Sequence, residues 1–167
     1  MKKIGIFYGS STGTTQGIAE TIASKLGVPA SDVIDVSKMN ADMVKEYEVL
    51  LLGTSTWGDG ELQDDWYDGV KVLKESDLKE KTIALFGCGD AESYPDTFCG
   101  GMKELYDAAK EGGANVLEGV SAEGYTFDDS DAVVDGKFVG LALDDVNVDD
   151  KTDERIDAWL EAIKPSL

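Results

Sequence analysis

The chain has 167 residues, 42% of them hydrophobic, with 34 acids against 15 bases and no histidine, a formal net charge of −19. That length and apolar content suit one domain with a sizeable core. The charge excludes nucleic acid and anionic membrane as partners, because phosphate surfaces demand Lys and Arg, and it favours a protein partner with a basic face.

Met1-Lys2-Lys3 is basic, but the apolar run after it is broken at Gly9 and Ser10. It is too short for a signal peptide or a membrane span, so the expected location is cytoplasmic. Buried strands are predicted at Lys3–Tyr8, Val33–Val36, Val49–Thr54, Thr82–Gly87 and Ala114–Leu117. Leu50-Leu51-Leu52 and Ile83-Ala84-Leu85-Phe86 do not alternate with polar residues, the pattern of strands covered on both faces. Helical spacing relates Ile18, Ala19, Ile22, Ala23 and Leu26, and again Met102, Leu105, Tyr106 and Ala109, which run into Gly112-Gly113. A last helix opens near Thr152 with Asp153 and Glu154 in its first turn and carries Ile156, Trp159, Leu160 and Ile163 inward. Such alternation predicts an α/β sandwich with right-handed crossovers. Residues 119–148 break the rhythm with acids and an Asp135-Gly136 turn, and read as an excursion interrupting the fifth strand of a single domain, 1–167.

The first strand runs directly into Gly9-Ser10-Ser11-Thr12-Gly13-Thr14-Thr15-Gln16-Gly17. In α/β sheets ligands bind beyond the carboxyl ends of the strands, where backbone N–H groups and the next helix's dipole favour an anion. Ser10, Ser11, Thr12, Thr14 and Thr15 add hydroxyl donors, and no Lys or Arg occurs from Ile4 to Ser24. A nucleoside triphosphate loop needs its Lys, and Gly9, Gly13 and Gly17 do not fit the dinucleotide fingerprint. A terminal monophosphate held by neutral donors remains. The third strand ends in Thr54-Ser55-Thr56 before Trp57-Gly58-Asp59-Gly60-Glu61-Leu62, and the fourth in Gly87-Cys88-Gly89-Asp90 before a loop carrying Tyr94. Two aromatics and an anion loop at one sheet edge suggest a flat ring system with a phosphate tail.

In these three loops the chain resembles the flavodoxins, small electron carriers that use flavin mononucleotide (FMN). Residues 124–144, from Gly124-Tyr125-Thr126-Phe127 to Asp144, are similar to the insertion of the long-chain branch. The resemblance implies a three-layer sandwich on a five-stranded parallel sheet in the order 2-1-3-4-5. It implies non-covalent FMN, with Ser10, Ser11, Thr12, Gly13, Thr14 and Thr15 at the phosphate and Trp57 and Tyr94 on opposite ring faces. Backbone groups of Gly58, Asp59, Gly89, Asp90 and Cys99 would meet the ring edge, with Gly60 and Cys88 in the same two loops and Thr56 linking ring loop to phosphate end. It also implies that a peptide at Gly58-Asp59 turns when the flavin takes one electron, a motion glycine makes cheap.

The expected role is therefore a low-potential carrier of single electrons between a reductase or oxidoreductase and acceptor enzymes. Asp59, Glu61, Asp64, Asp65, Asp68, Asp90, Glu92 and Asp96 surround the ring loops, with no base from Glu46 to Val70 or from Thr82 to Met102. Added negative charge on the ring is disfavoured there, by about 4 kcal/mol for a like charge at ~4 Å and an effective dielectric near 20, less with solvent screening. The rival reading is a flavin-dependent quinone or nitro reductase, which needs bases for a nicotinamide cofactor's phosphates that the ring loops lack. A phospho-receiver domain needs acids where this chain has Ser10-Ser11-Thr12 and Thr54-Ser55-Thr56, and is excluded. Cys88 and Cys99 are too few for an iron–sulfur cluster or a disulfide framework. They read as one packing residue and one backbone contributor, with a redox thiol pair as the alternative and with thiol pKa values raised by the acids nearby. No metal site and no catalytic acid–base pair are expected. A monomer is the default.

Overall fold

A computed structural model describes residues 3–9, 13–57, 61–62, 65–89, 98–117, 119–121, 125, 127, 130, 132–144 and 151–167. In chain order the elements are β1 (Ile4–Gly9), α1 (Thr14–Leu26), β2 (Val33–Asp35), α2 (Ala41–Glu46), β3 (Val49–Trp57), β4 (Glu61–Leu62) and α3 (Trp66–Glu75). They continue with β5 (Thr82–Cys88), α4 (Met102–Glu111), β6 (Asn115–Val116), β7 (Val133–Val134), β8 (Lys137–Phe138), β9 (Leu141–Leu143) and α5 (Thr152–Ile163).

The sheet order is β2-β1-β3-β5-β6, every neighbouring pair parallel, with β9 also pairing parallel to β5. β6 lies against Thr82 and Ile83, at the start of β5, and β9 against Phe86, Gly87 and Cys88, at its end. The fifth strand position is thus filled by two pieces of chain, and the order among positions is 2-1-3-4-5. The 119–148 excursion expected from sequence therefore contains a piece of the sheet itself, because Leu141–Leu143 returns to β5. That return needs Gly140: a Cβ there would collide with the Leu85 carbonyl.

Period-two alternation divides the core. Phe7, Leu50, Leu52, Ile83 and Leu85 face a layer holding Trp66 and Leu73 of α3, Met102, Leu105, Ala108 and Ala109 of α4, and Phe98 and Phe138. Ile6, Val49, Leu51, Ala84, Phe86, Leu141 and Leu143 face Ile18, Ala19, Ile22 and Ala23 of α1 and Ile156, Trp159, Leu160 and Ile163 of α5. All seven residues of β5 are buried, which is why its run shows no polar alternation.

Two helices lie outside the sequence reading. In α3 the buried residues are Trp66, Gly69 and Leu73, and the Trp66 indole donates to the Gly53 carbonyl of β3 at 2.6 Å. The short α2 is capped by Asn40, whose side chain accepts from the Met43 N–H. The Asp135-Gly136 turn closes the β7–β8 hairpin with both residues at positive φ, 53° and 79°, as a two-residue hairpin loop requires. Among the described residues no helix is long and apolar enough to cross a membrane.

Candidate functional site

The sheet register aligns the strand ends that carry the three loops. Gly9 of β1 pairs with Thr54 of β3, Thr54 with Gly87 of β5, Ser55 with Cys88, and Cys88 with Leu143 of β9. With strands about 4.8 Å apart, the chain leaving β1 and the chain leaving β5 start about 10 Å from each other, on either side of β3. β3 then runs on to Trp57 and pairs back antiparallel with β4, Thr56 opposite Leu62 and Trp57 opposite Glu61, with residues 58–60 between. Ser10, Ser11, Thr12, Gly58, Asp59, Gly60, Asp90 and Tyr94 lie outside the described residues.

At the first loop, Gly13 is the N-cap of α1 at φ 90°, a left-handed conformation that glycine adopts without strain, and it makes no side-chain cap bond. The other four described α-helices carry acids in their first turns: Asp42 in α2, Asp68 in α3, Glu104 in α4, Asp153 and Glu154 in α5. α1 carries none. In a chain with 34 acids, this leaves one described α-helix N-terminus whose partial positive charge is not answered by a carboxylate in its own first turn. Thr15 is fully buried and turns its hydroxyl inward, donating to Cys88 Sγ at 3.6 Å. What it presents to the loop is its backbone. The bond ties the first turn of α1 to the end of β5.

Gly89 and Cys99, which flank residues 90–97, meet at a closely packed corner. Gly89 N–H donates to the Leu143 carbonyl at 2.9 Å, and Cys99 Sγ–H reaches the same oxygen at 3.7 Å. A Cβ on Gly89 would stand 2.9 Å from Cys99 N, so the two ends of the loop touch. Cys99 holds a left-handed φ of 54°, which a residue with a side chain adopts only when its surroundings impose it. Neither thiol forms a disulfide, and both are buried. The Cys99 pKa is pushed well above the usual thiol range, as the sequence suggests, but burial is the largest cause, followed by the Cys88 thiol, and Asp144 adds less. A thiol so placed stays protonated and does not act as a nucleophile. Among the described residues no group of His, Cys, Asp and Glu could hold a metal.

Sequence reasoning does not find what stands under this corner. Phe98, 1% exposed, is met by Phe127 at 5.5 Å, Phe138 at 5.9 Å and Tyr125 at 6.2 Å between ring centroids. The buried Ser130 hydroxyl donates to the Phe98 carbonyl and also accepts from the Ala132 N–H. The signal that could have found it is the recurrence of Tyr125, Phe127 and Phe138 inside an otherwise acidic excursion.

The flavodoxin family model matches residues 6–159. The chain belongs to the flavodoxin family. It is 44% identical to flavodoxin 1 of Azotobacter vinelandii, over 98% of this chain and 97% of that protein. It is 42% identical to the flavodoxin of Helicobacter pylori, over 100% and 99%. Among solved structures it superposes on the Fusobacterium nucleatum flavodoxin bound to flavin mononucleotide with a TM-score of 0.90 and 35% identity, covering 100% of this chain and 99% of that one.

Proposed function

We propose that this flavodoxin holds FMN non-covalently at the carboxyl edge of its sheet and carries electrons singly, at low potential, between a reductase or oxidoreductase and acceptor enzymes. The observation that carries the reading is α1: the one described α-helix without an acid in its first turn opens at the loop richest in hydroxyls. The donor set fits FMN, a neutral cradle for a phosphate beside a strand end that runs on into Trp57. FMN supplies the electron-accepting ring. The chain's residues supply binding, orientation and exclusion of water.

In this reading Ser10, Ser11, Thr12, Gly13, Thr14 and Thr15 surround the phosphate, and Trp57 and Tyr94 cover the ring faces. Thr56, Gly58, Asp59, Gly60, Cys88, Gly89, Asp90 and Cys99 shape its edge. The acids after the ring loop, Asp59, Glu61, Asp64, Asp65 and Asp68, steer that edge toward a basic-faced partner and keep the potential low. The chain acts as a cytoplasmic monomer without substrate turnover of its own.

The test is an absorption spectrum of the purified protein during stepwise dithionite reduction under argon, with NADPH oxidation assayed in parallel. Flavin bands that bleach in two separate one-electron stages, with negligible NADPH consumption by the protein alone, are expected. A protein that fails to take up added FMN removes the reading. Rapid NADPH turnover replaces it with a reductase.

A further inference from the structure

The chain contains one arginine, Arg155, in the first turn of α5. In a protein with 34 acids its partner is a ring. The guanidinium lies 3.8 Å from the centroid of Tyr125, and no carboxylate among the described residues pairs with it. At its other end Tyr125 donates its hydroxyl to the Ala142 carbonyl of β9 at 2.7 Å. The ring is therefore fixed between α5 and the sheet.

Tyr125 stands 4.9 Å from Phe138, and both contact Phe98. Phe98 directly precedes Cys99, the left-handed residue whose thiol reaches Leu143 and whose N–H limits the space at Gly89. A line of contacts thus runs from Arg155 through Tyr125 and Phe98 to the corner of Cys99 and Gly89, the two residues that flank the second ring loop. The arginine's field also reaches this corner, opposing the rise that burial imposes on the Cys99 and Tyr125 protons.

We propose that Arg155 is a positioning residue for the second ring loop: stacked on Tyr125, it holds the insertion's aromatic cluster against Phe98 and so determines how well the site accepts the flavin ring. The inference rests on the FMN reading above. The geometry calls for a flat cation, because a guanidinium lies parallel to a ring and a lysine ammonium is only a point charge on a flexible stem.

The experiment separates ring from phosphate. Riboflavin, FMN and inorganic phosphate are titrated into the full-length apoprotein of wild type, Arg155→Lys and Arg155→Met, with flavin fluorescence and calorimetry as readouts and urea unfolding alongside. Both variants are expected to lose riboflavin affinity by about five- to tenfold, the worth of one partly desolvated cation–ring contact. Phosphate affinity should stay at the wild-type value, since the α1 loop is untouched. Tyr125→Leu, which keeps an apolar side chain beside Phe98 but removes the ring under Arg155, should show the same selective loss. Unchanged riboflavin affinity in the variants overturns the proposal. So does an equal loss for phosphate, which marks general loosening, or full recovery in Arg155→Lys, which marks charge instead of stacking. A wild-type protein that binds neither riboflavin nor FMN defeats the FMN reading first, and is told apart by appearing before any substitution is made.

Discussion

Two tryptophans show how the environment of a single residue decides its worth. Trp66 and Trp159 are both buried, at 0% and 1% exposure, each on a helix facing the sheet. The Trp66 indole N–H donates to the Gly53 carbonyl at 2.6 Å, whereas Trp159 Nε1 has no hydrogen-bond partner among the described residues. Trp66→Phe removes a made bond and leaves a void, an expected loss of about 2–4 kcal/mol. Trp159→Phe leaves a void as well but relieves a buried donor of its unmet desolvation, so the two effects offset to within about 1 kcal/mol of wild type. Urea unfolding of the pair measures the difference directly. Equal losses would mean that ring volume alone matters at both sites.

At the scale of elements, α1 is distinguished by what its first turn lacks. Gln16 sits in that turn, exposed, and its side chain donates to Glu20 one turn on at 3.4 Å. Gln16→Glu adds an acid at the helix N-terminus, worth about 0.3–1 kcal/mol through the dipole, and opposes it with a like charge at Glu20 worth about 0.2–0.5 kcal/mol. Apoprotein stability should therefore move little. Phosphate affinity should fall about three- to tenfold, because a new carboxylate stands within several ångströms of the bound anion. Calorimetric titration of inorganic phosphate reads this, and an unchanged affinity would place the phosphate elsewhere.

Elements also differ in how openly the amino-acid sequence declares them. Parallel strands are readable when both faces are covered, and β1, β3 and β5 announce themselves through runs such as Leu50-Leu51-Leu52. The inward set of α5, Ile156, Trp159, Leu160 and Ile163, is the buried set observed. α3 escapes the reading although Trp66, Gly69, Val70 and Leu73 carry helical spacing, because the neighbouring Asp64, Asp65 and Asp68 stand out as charge. Leu141–Leu143 cannot be assigned to the sheet from local pattern, since a three-residue strand is defined by its partner, here Phe86–Cys88. The corner of Gly89 and Cys99 is illegible for a related reason. Phe98, Tyr125, Phe138 and Arg155 are dispersed along the chain, and only the return of β9 to β5 gathers them.

Across the whole molecule, burial couples stability to alkaline pH through two phenols. Tyr47 is packed edge-on against Phe7 with ring centroids 5.8 Å apart, and its hydroxyl donates to Asp32 at 2.8 Å. Burial, then the bond to Asp32, pushes its pKa up to about 12. Burial pushes Tyr125 to about 12 as well, against the opposing pull of Arg155. In the unfolded chain both phenols titrate near 10. Below pH ~10 both states hold both protons, and the full stabilisation is present. Above it the unfolded chain releases protons that the folded chain retains, so stability falls as pH rises through the folded values near 12. The net charge of −19 adds self-repulsion to that limb, which added salt screens, whereas the proton linkage remains. Urea midpoints between pH 9 and 12 at about 0.5 M salt, where the Debye length is only ~4 Å, suppress that repulsion. The Cys99 thiol and the Tyr8 phenol, both raised by burial, add linkage of the same sign, so the share of Tyr47 and Tyr125 is read from their variants. Tyr47→Phe and Tyr125→Phe each lose a hydrogen bond and begin from a lower midpoint, but both should lose less stability per pH unit above 10, and the double variant less again. A double variant whose alkaline slope matches the wild type would assign that limb to groups other than these two hydroxyls.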